Sequence, residues 1–381
     1  MTTLTSERSS SRRRITASDS NAVGASCERR PPPNDPEGDS SSFAYVNSTT
    51  INLALLVTLV LTIVVATALG PVRLPIREVV RAFFHPLQAG DANTIVFSLR
   101  LPRVLAAAIV GAALAATGVL FQGLFRNPLA DPFVLGTSGG AALGGAIGIF
   151  LMPTLSFAGF GAMAVLAFCG SVLTMVLVWY VTRVSGHFAM ETLLLSGFAI
   201  GSMLNAGTVV FELREEASTS GLRVLAAWLH GEIGVPAWSQ LAILGPMVFV
   251  GIVLALPVAT RLNTLALGEE YATQLGVNVV RVRLATVVLG SLLTAAAVLI
   301  GGLIGFVGLL VPHFLRLLMG PNHVRLMPAA AWAGAIFLVL CDTFARTTFG
   351  TTEVPVGVVT ALVGGPAFLY LLNRRSREAL D

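Results

Sequence analysis

The chain contains no lysine; all 24 of its basic residues are arginine. A phosphate-cradling loop of the form Gly-x-x-x-x-Gly-Lys-Ser/Thr is therefore impossible, and nucleotide hydrolysis by that route is excluded. Charge of either sign is scarce, at 12% of residues, against about 25% in a soluble domain. It is absent altogether from residues 104–125, 132–182, 192–211, 233–260, 284–315 and 354–373. A hydrocarbon core about 30 Å thick is crossed by about 20 apolar residues in a helix, so the pattern is that of a polytopic membrane protein. Ion-coupled transporters place Asp, Glu or His at mid-membrane. The uncharged spans argue against that class: the chain borrows its energy from elsewhere, or merely opens a path.

Other absences narrow the chemistry further. Three cysteines, Cys27, Cys169 and Cys341, are far apart and make neither a disulfide framework nor a metal motif. Five histidines are scattered with no His-x-x-x-His pair, so no metal site is expected. Asp131, Glu191, His230 and His313 are the only candidates for a membrane enzyme, and they form no clustered motif. No basic stripe with interleaved aromatics points to nucleic acid. No strand alternation occurs, and helices satisfy their own backbone in lipid, so the fold class is all-α.

Hydrophobic residues make up 55% of the chain, and they divide it. Residues 1–48, rich in Ser, Arg and Pro, cannot bury a core and are predicted to be a disordered cytoplasmic tail. Residues 49–375 hold ten predicted transmembrane helices, and 376–381 a short C-terminal tail. The spans fall at 51–69, 102–121, 133–151, 157–181, 193–211, 238–258, two sharing 283–317 with a break at Gly301-Gly302, then 327–341 and 354–372. The shared stretch is short for two full crossings, so one is expected to end inside the membrane against other helices. With both termini inside, 16 arginines are cytoplasmic and eight external, in the sense of the positive-inside rule.

Four segments stand out. Arg100-Leu-Pro-Arg103 precedes Gly111, Gly118 and the turn Arg126-Asn-Pro-Leu-Ala-Asp131-Pro132. Small residues at helical spacing allow close helix approach. The prolines force a reversal, with Asp131 and Pro132 read as the start of the next helix. The second segment, Leu265-Ala266-Leu267-Gly268-Glu269-Glu270-Tyr271-Ala272-Thr273-Gln274-Leu275-Gly276, suits a short helix stopped by glycine; its apolar face and acids fit a docking element. The third is Gly301-Gly302 through Pro312-His313. The fourth is Asp342 through Arg346, which can pair on one helical face, followed by Glu353-Val-Pro355.

Together these segments resemble the membrane subunit of a type II ATP-binding cassette importer, in the iron-siderophore, haem and vitamin B12 permease (FecCD) family. The resemblance runs from Leu69 to Leu372. It implies a ten-helix permease working as a dimer, with an identical or paralogous permease, two ABC ATPase subunits and an extracytoplasmic binding protein. It implies a prokaryotic plasma (inner) membrane location. Arg100, Arg103 and Arg346 would dock the binding protein. Asn127 and Leu129, with Ala189 and Met190, would form cytoplasmic gates. Leu265, Ala266, Leu267, Gly268, Glu269, Glu270, Ala272, Leu275 and Gly276 would couple to the ATPase. The chain itself would bind no cofactor, ATP and magnesium belonging to the partner. The expected cargo is a ferric siderophore, with haem or vitamin B12 as alternatives.

Overall fold

The computed structural model describes residues 48–72, 74–84, 90–184, 190–213, 219–348 and 353–378. Residues 1–47 and Ala189 lie outside them, so the expected tail is represented only by Ser48, which opens the first helix. The described helices are α1 (Ser48–Ala68), α2 (Ile76–Phe84), α3 (Asp91–Asn93), α4 (Leu101–Leu124), α5 (Thr137–Leu151), α6 (Ala162–Val184) and α7 (Met190–Glu212). They continue as α8 (Thr219–Leu229), α9 (Trp238–Ala266), α10 (Glu269–Gln274), α11 (Val279–Gly301), α12 (Val307–Met319), α13 (His323–Thr348) and α14 (Val356–Glu378). A π-helical stretch, Thr94–Arg100, leads into α4. A small antiparallel hairpin pairs Ser156 with Gly161 and Phe157 with Phe160, between α5 and α6.

Each of the ten expected spans has its helix. Among the described residues, seven segments are long and apolar enough to cross a membrane by length and composition. Others are shorter: α5 has 15 residues and α12 only 13, the latter about 20 Å long.

The bundle is built around α4, which packs against α13, α11, α9 and α12. Its sequence is apolar on every side, the signature of a helix with no solvent-facing stripe. What lets α13 and α12 approach it so closely is the lack of side chains at two positions. A Cβ on Gly111 would lie 2.2 Å from the Gly334 carbonyl oxygen, and one on Gly118 only 1.8 Å from that of Gly308. Without a hydrophobic drive between helices in lipid, this backbone proximity supplies the packing energy.

The break between α11 and α12 sits beside the middle of α4, since Gly301 packs against Val110. Gly302 takes φ 66°, a left-handed conformation. Non-helical backbone at this depth needs partners. α8 supplies one: the Trp228 carbonyl accepts from Leu303 N at 3.3 Å, while the Gly231 carbonyl just beyond accepts from Gly357 N at 3.1 Å. The sequence reading missed α8, because its 11 residues are too few to span a membrane.

Gly118→Val is expected to destabilise the bundle by about 1–3 kcal/mol through overpacking, read as a lower melting temperature in detergent. Gly365→Ala is the control, since a Cβ there meets nothing within 4 Å. Equal melting temperatures for the two variants would contradict the packing account.

Candidate functional site

At the N-terminal end of α4 the three arginines singled out in the sequence converge, and they are buried: Arg100 is 4% exposed, Arg103 8% and Arg346 4%. Their guanidinium groups point inward rather than lining an open basic rim. Arg103 Nε donates to Asp342 Oδ1 at 3.1 Å and its NH1 to Glu353 Oε2 at 2.7 Å. Arg346 pairs with the other oxygen of Asp342 at 3.2 Å, one helical turn along α13. The remaining donors reach the end of α1. Arg346 NH2 meets the Ala66 carbonyl at 2.7 Å and Arg100 NH1 the Ala68 carbonyl at 2.8 Å. Arg100 NH2 also donates to the Val72 carbonyl. Helix C-termini leave carbonyls unpaired and carry partial negative charge, so two arginines cap α1 there. Gly70 makes room, since a Cβ on it would fall 2.7 Å from the Arg100 guanidinium. A cavity of about 170 Å³ opens beside the cluster, walled by Val72, Leu99 and Val235 as well as the three arginines and Glu353.

At the opposite end of α4 the chain reverses through residues 125–136. Arg126 takes φ 49°, a left-handed conformation that costs a non-glycine residue about 1 kcal/mol. Its guanidinium donates to the Leu265 carbonyl at 2.6 Å, in the last turn of α9. Asn127 is exposed and Leu129 half-buried; Asn127 Oδ1 accepts from Leu129 N at 3.0 Å. Asp131 does not start the next helix. α5 begins six residues later, at Thr137, with left-handed Gly136 before it. Asp131 Oδ1 instead accepts from Phe133 N at 2.9 Å, a local turn typical of Asp. Burial raises the Asp131 carboxyl to about 6, opposed by its hydrogen bonds from the Phe133 and Phe306 amides.

The second acidic-apolar segment is only partly a separate helix. Leu265 and Ala266 are the last residues of α9, which runs eight residues past the expected end of its span. Gly268 at φ 125° breaks the chain, α10 follows, and Gly276 at φ 77° stops it. Ala272 is fully buried, while Leu267, Tyr271 and Leu275 are 69%, 66% and 66% exposed, with Glu270 exposed beside them. Glu269 is engaged within the chain, by Arg283. Met190, at the start of α7, is half-buried against the main core.

A wider cavity of about 610 Å³ lies between α5 and α7, lined by Phe133, Val134, Gly139, Leu194, Phe198, Asn205 and neighbours. None of these residues is charged. α7 itself leaves Leu195, Phe198 and Met203 largely exposed.

Ten spanning helices around a small-residue centre, one pair of them broken at Gly302, make up the membrane part among the described residues. The fold is that of a type II ABC importer permease. It aligns with a solved chain of 30% identity, described as an inward-facing conformation of a metal-chelate type ABC transporter, at a TM-score of 0.73, covering 86% of this chain and 99% of that one. Residues 57–374 match the FecCD transport family, and the chain belongs to it. It is a multi-pass membrane permease of an ABC importer, not itself an ATPase, and its transport implies ATPase and binding-protein partners. The chain is similar to the cobalamin import system permease protein BtuC of Halobacterium salinarum, 42% identical over 78% of this chain and 79% of that one. It is also similar to the hemin transport system permease protein HmuU of Yersinia pestis, 41% identical over 74% and 84%.

Removing one member of a buried ion pair strands the others, at a cost of about 3–5 kcal/mol. Asp342→Asn is therefore expected to lower the melting temperature sharply in detergent. Glu353, with a side chain 45% exposed, should cost about 1 kcal/mol or less as Glu353→Gln. A Glu353→Gln loss equal to that of Asp342→Asn would contradict the assignment of Asp342 as the hub.

Proposed function

We propose that this chain forms half of a translocation pathway for a metal chelate, opened and closed by ATP hydrolysis on two partner ATPase subunits, which bind ATP and magnesium. A second permease, identical or paralogous, supplies the other half. The end at which α4 begins faces outward and receives the binding protein, with Arg100, Arg103 and Arg346 bracing that end from within rather than offering free charge. The α10 end and both termini face the cytoplasm of a prokaryotic cell, across its plasma membrane. One gate lies in the turn carrying Asn127 and Leu129, and a second at Met190 and the neighbouring Ala189.

The observation that carries this reading is the α10 shelf. Three large side chains, Tyr271 on α10 and Leu267 and Leu275 flanking it, stand exposed beside Glu270, and α10 is held to α11 by the Glu269–Arg283 pair. An exposed apolar face with an acid at its margin suits insertion into a groove of a partner protein. The wider cavity supports the rest: its uncharged wall suits a bulky chelate and offers no coupling-ion site.

The cargo is the finer part of the proposal. A ferric siderophore is the expectation from the sequence. The similarity to permeases named for cobalamin and hemin supports a second reading, a tetrapyrrole, which shares the size and mixed polarity of a siderophore complex.

Tyr271→Asp with Leu275→Asp is expected to abolish co-purification of the ATPase while membrane insertion persists; retained ATPase would reject the shelf. Glu269→Arg is a poorer probe, because it also breaks an internal pair. For cargo, uptake of ⁵⁵Fe-siderophores, hemin and cyanocobalamin is compared in a strain lacking the gene and in its complemented partner. Loss of one compound, restored by the gene, assigns it. Unchanged uptake of all three would contradict the metal-chelate reading.

A further inference from the structure

We infer that Arg126 is the strut that carries movement of the α10 shelf to the gate turn, a role that rests on the shelf and gate assignments proposed above. The connection is direct. Arg126 immediately precedes Asn127, and its guanidinium donates to the Leu265 carbonyl at 2.6 Å. Leu265 stands one residue from the end of α9, and its carbonyl also accepts from Gly268 N at 3.1 Å, the residue that opens α10. One oxygen thus joins the gate turn, the end of α9 and the start of α10.

The backbone of Arg126 fits a loaded connection. Its φ of 49° is a conformation side-chain-bearing residues hold only when their surroundings impose it. Glycine is absent there, so the turn trades backbone ease for a long donor. Its partner is a helix C-terminus, where a cation is favoured.

A second clasp keeps the α9 end from moving alone. Asn263 Oδ1 accepts from His323 N at 2.8 Å and lies 2.7 Å from His323 Nδ1. The imidazole sits where Gly123 leaves space, since a Cβ there would be 2.6 Å from Nε2. Asn263 therefore ties α9 to α13 and packs both against α4, three residues before Arg126. Displacement of the shelf then reaches the turn through the Arg126 side chain. Arg126 is a positioning residue: its guanidinium bonds to the chain's own backbone.

The test uses the assembled permease–ATPase complex in inside-out vesicles. An Asn127→Cys background is labelled with a membrane-impermeant maleimide, with and without vanadate-trapped nucleotide, and labelling at position 127 is read by mass spectrometry. With Arg126 present, trapping should change the labelling rate about fivefold, a typical coupling. Arg126→Gln and Arg126→Gly should reduce that change to near unity while ATP hydrolysis continues. Glycine suits the left-handed backbone, so its loss of coupling reports the missing guanidinium rather than strain. Arg126→Lys, which retains a donor, should restore part of the change. A full change in Arg126→Gln overturns the strut, as does a parallel loss of hydrolysis and complex in both variants. No state dependence in the Arg126 background itself contradicts the gate assignment, and the strut falls with it.

Discussion

The rest of the structure depends on one buried carboxylate. Asp342 is fully buried in α13 and meets Arg103 from α4 and Arg346 from its own helix. Two guanidiniums in a low-dielectric site need a counter-charge, and no backbone carbonyl replaces a full negative charge. With Asp342 in place, the spare donors of Arg346 and Arg100 turn to the carbonyls ending α1. The first helix, only 17% buried along its span, has little packing of its own, so this polar anchor and α13 hold it. The central helix, the ninth span and the first are fixed in register at one end by a single residue.

Elsewhere the bundle economises on charge and spends glycine. Close backbone contacts at Gly111 and Gly118 draw helices onto α4, and the broken backbone near Gly302 takes its hydrogen-bond partners from the end of α8. The charged side chains fall outside the long uncharged runs that make up most of the spans. That distribution suits a machine driven from its end, where α9, α10 and α11 meet the turn after α4, rather than from a titrating site at mid-membrane.

Much of this was legible in the sequence. Charge-free runs located the ten helices, and Gly301-Gly302 marked the break. The i,i+4 spacing of Asp342 and Arg346 announced their pair. What the sequence hid was non-local. Nothing in Arg100-Leu-Pro-Arg103 says that Arg103 turns inward onto a carboxylate 239 residues away, or that Arg100 turns onto the carbonyls ending α1. Asp131-Pro132 looks like a helix start, yet the turn stays irregular until Gly136. The limits of α9 were also concealed, because Leu262 and Leu265 continue its buried face past the membrane span. α8 was lost because its length fits a loop as well as a helix.

The central claim is that energy enters from ATP on a partner chain and not from an ion gradient. The most direct measurement is cargo uptake by the complete permease–ATPase–binding-protein complex in proteoliposomes, with external and internal ion composition set independently. The account predicts that collapsing proton and sodium gradients leaves uptake unchanged, while vanadate stops it. Uptake that persists in vanadate and collapses with an ionophore would contradict it.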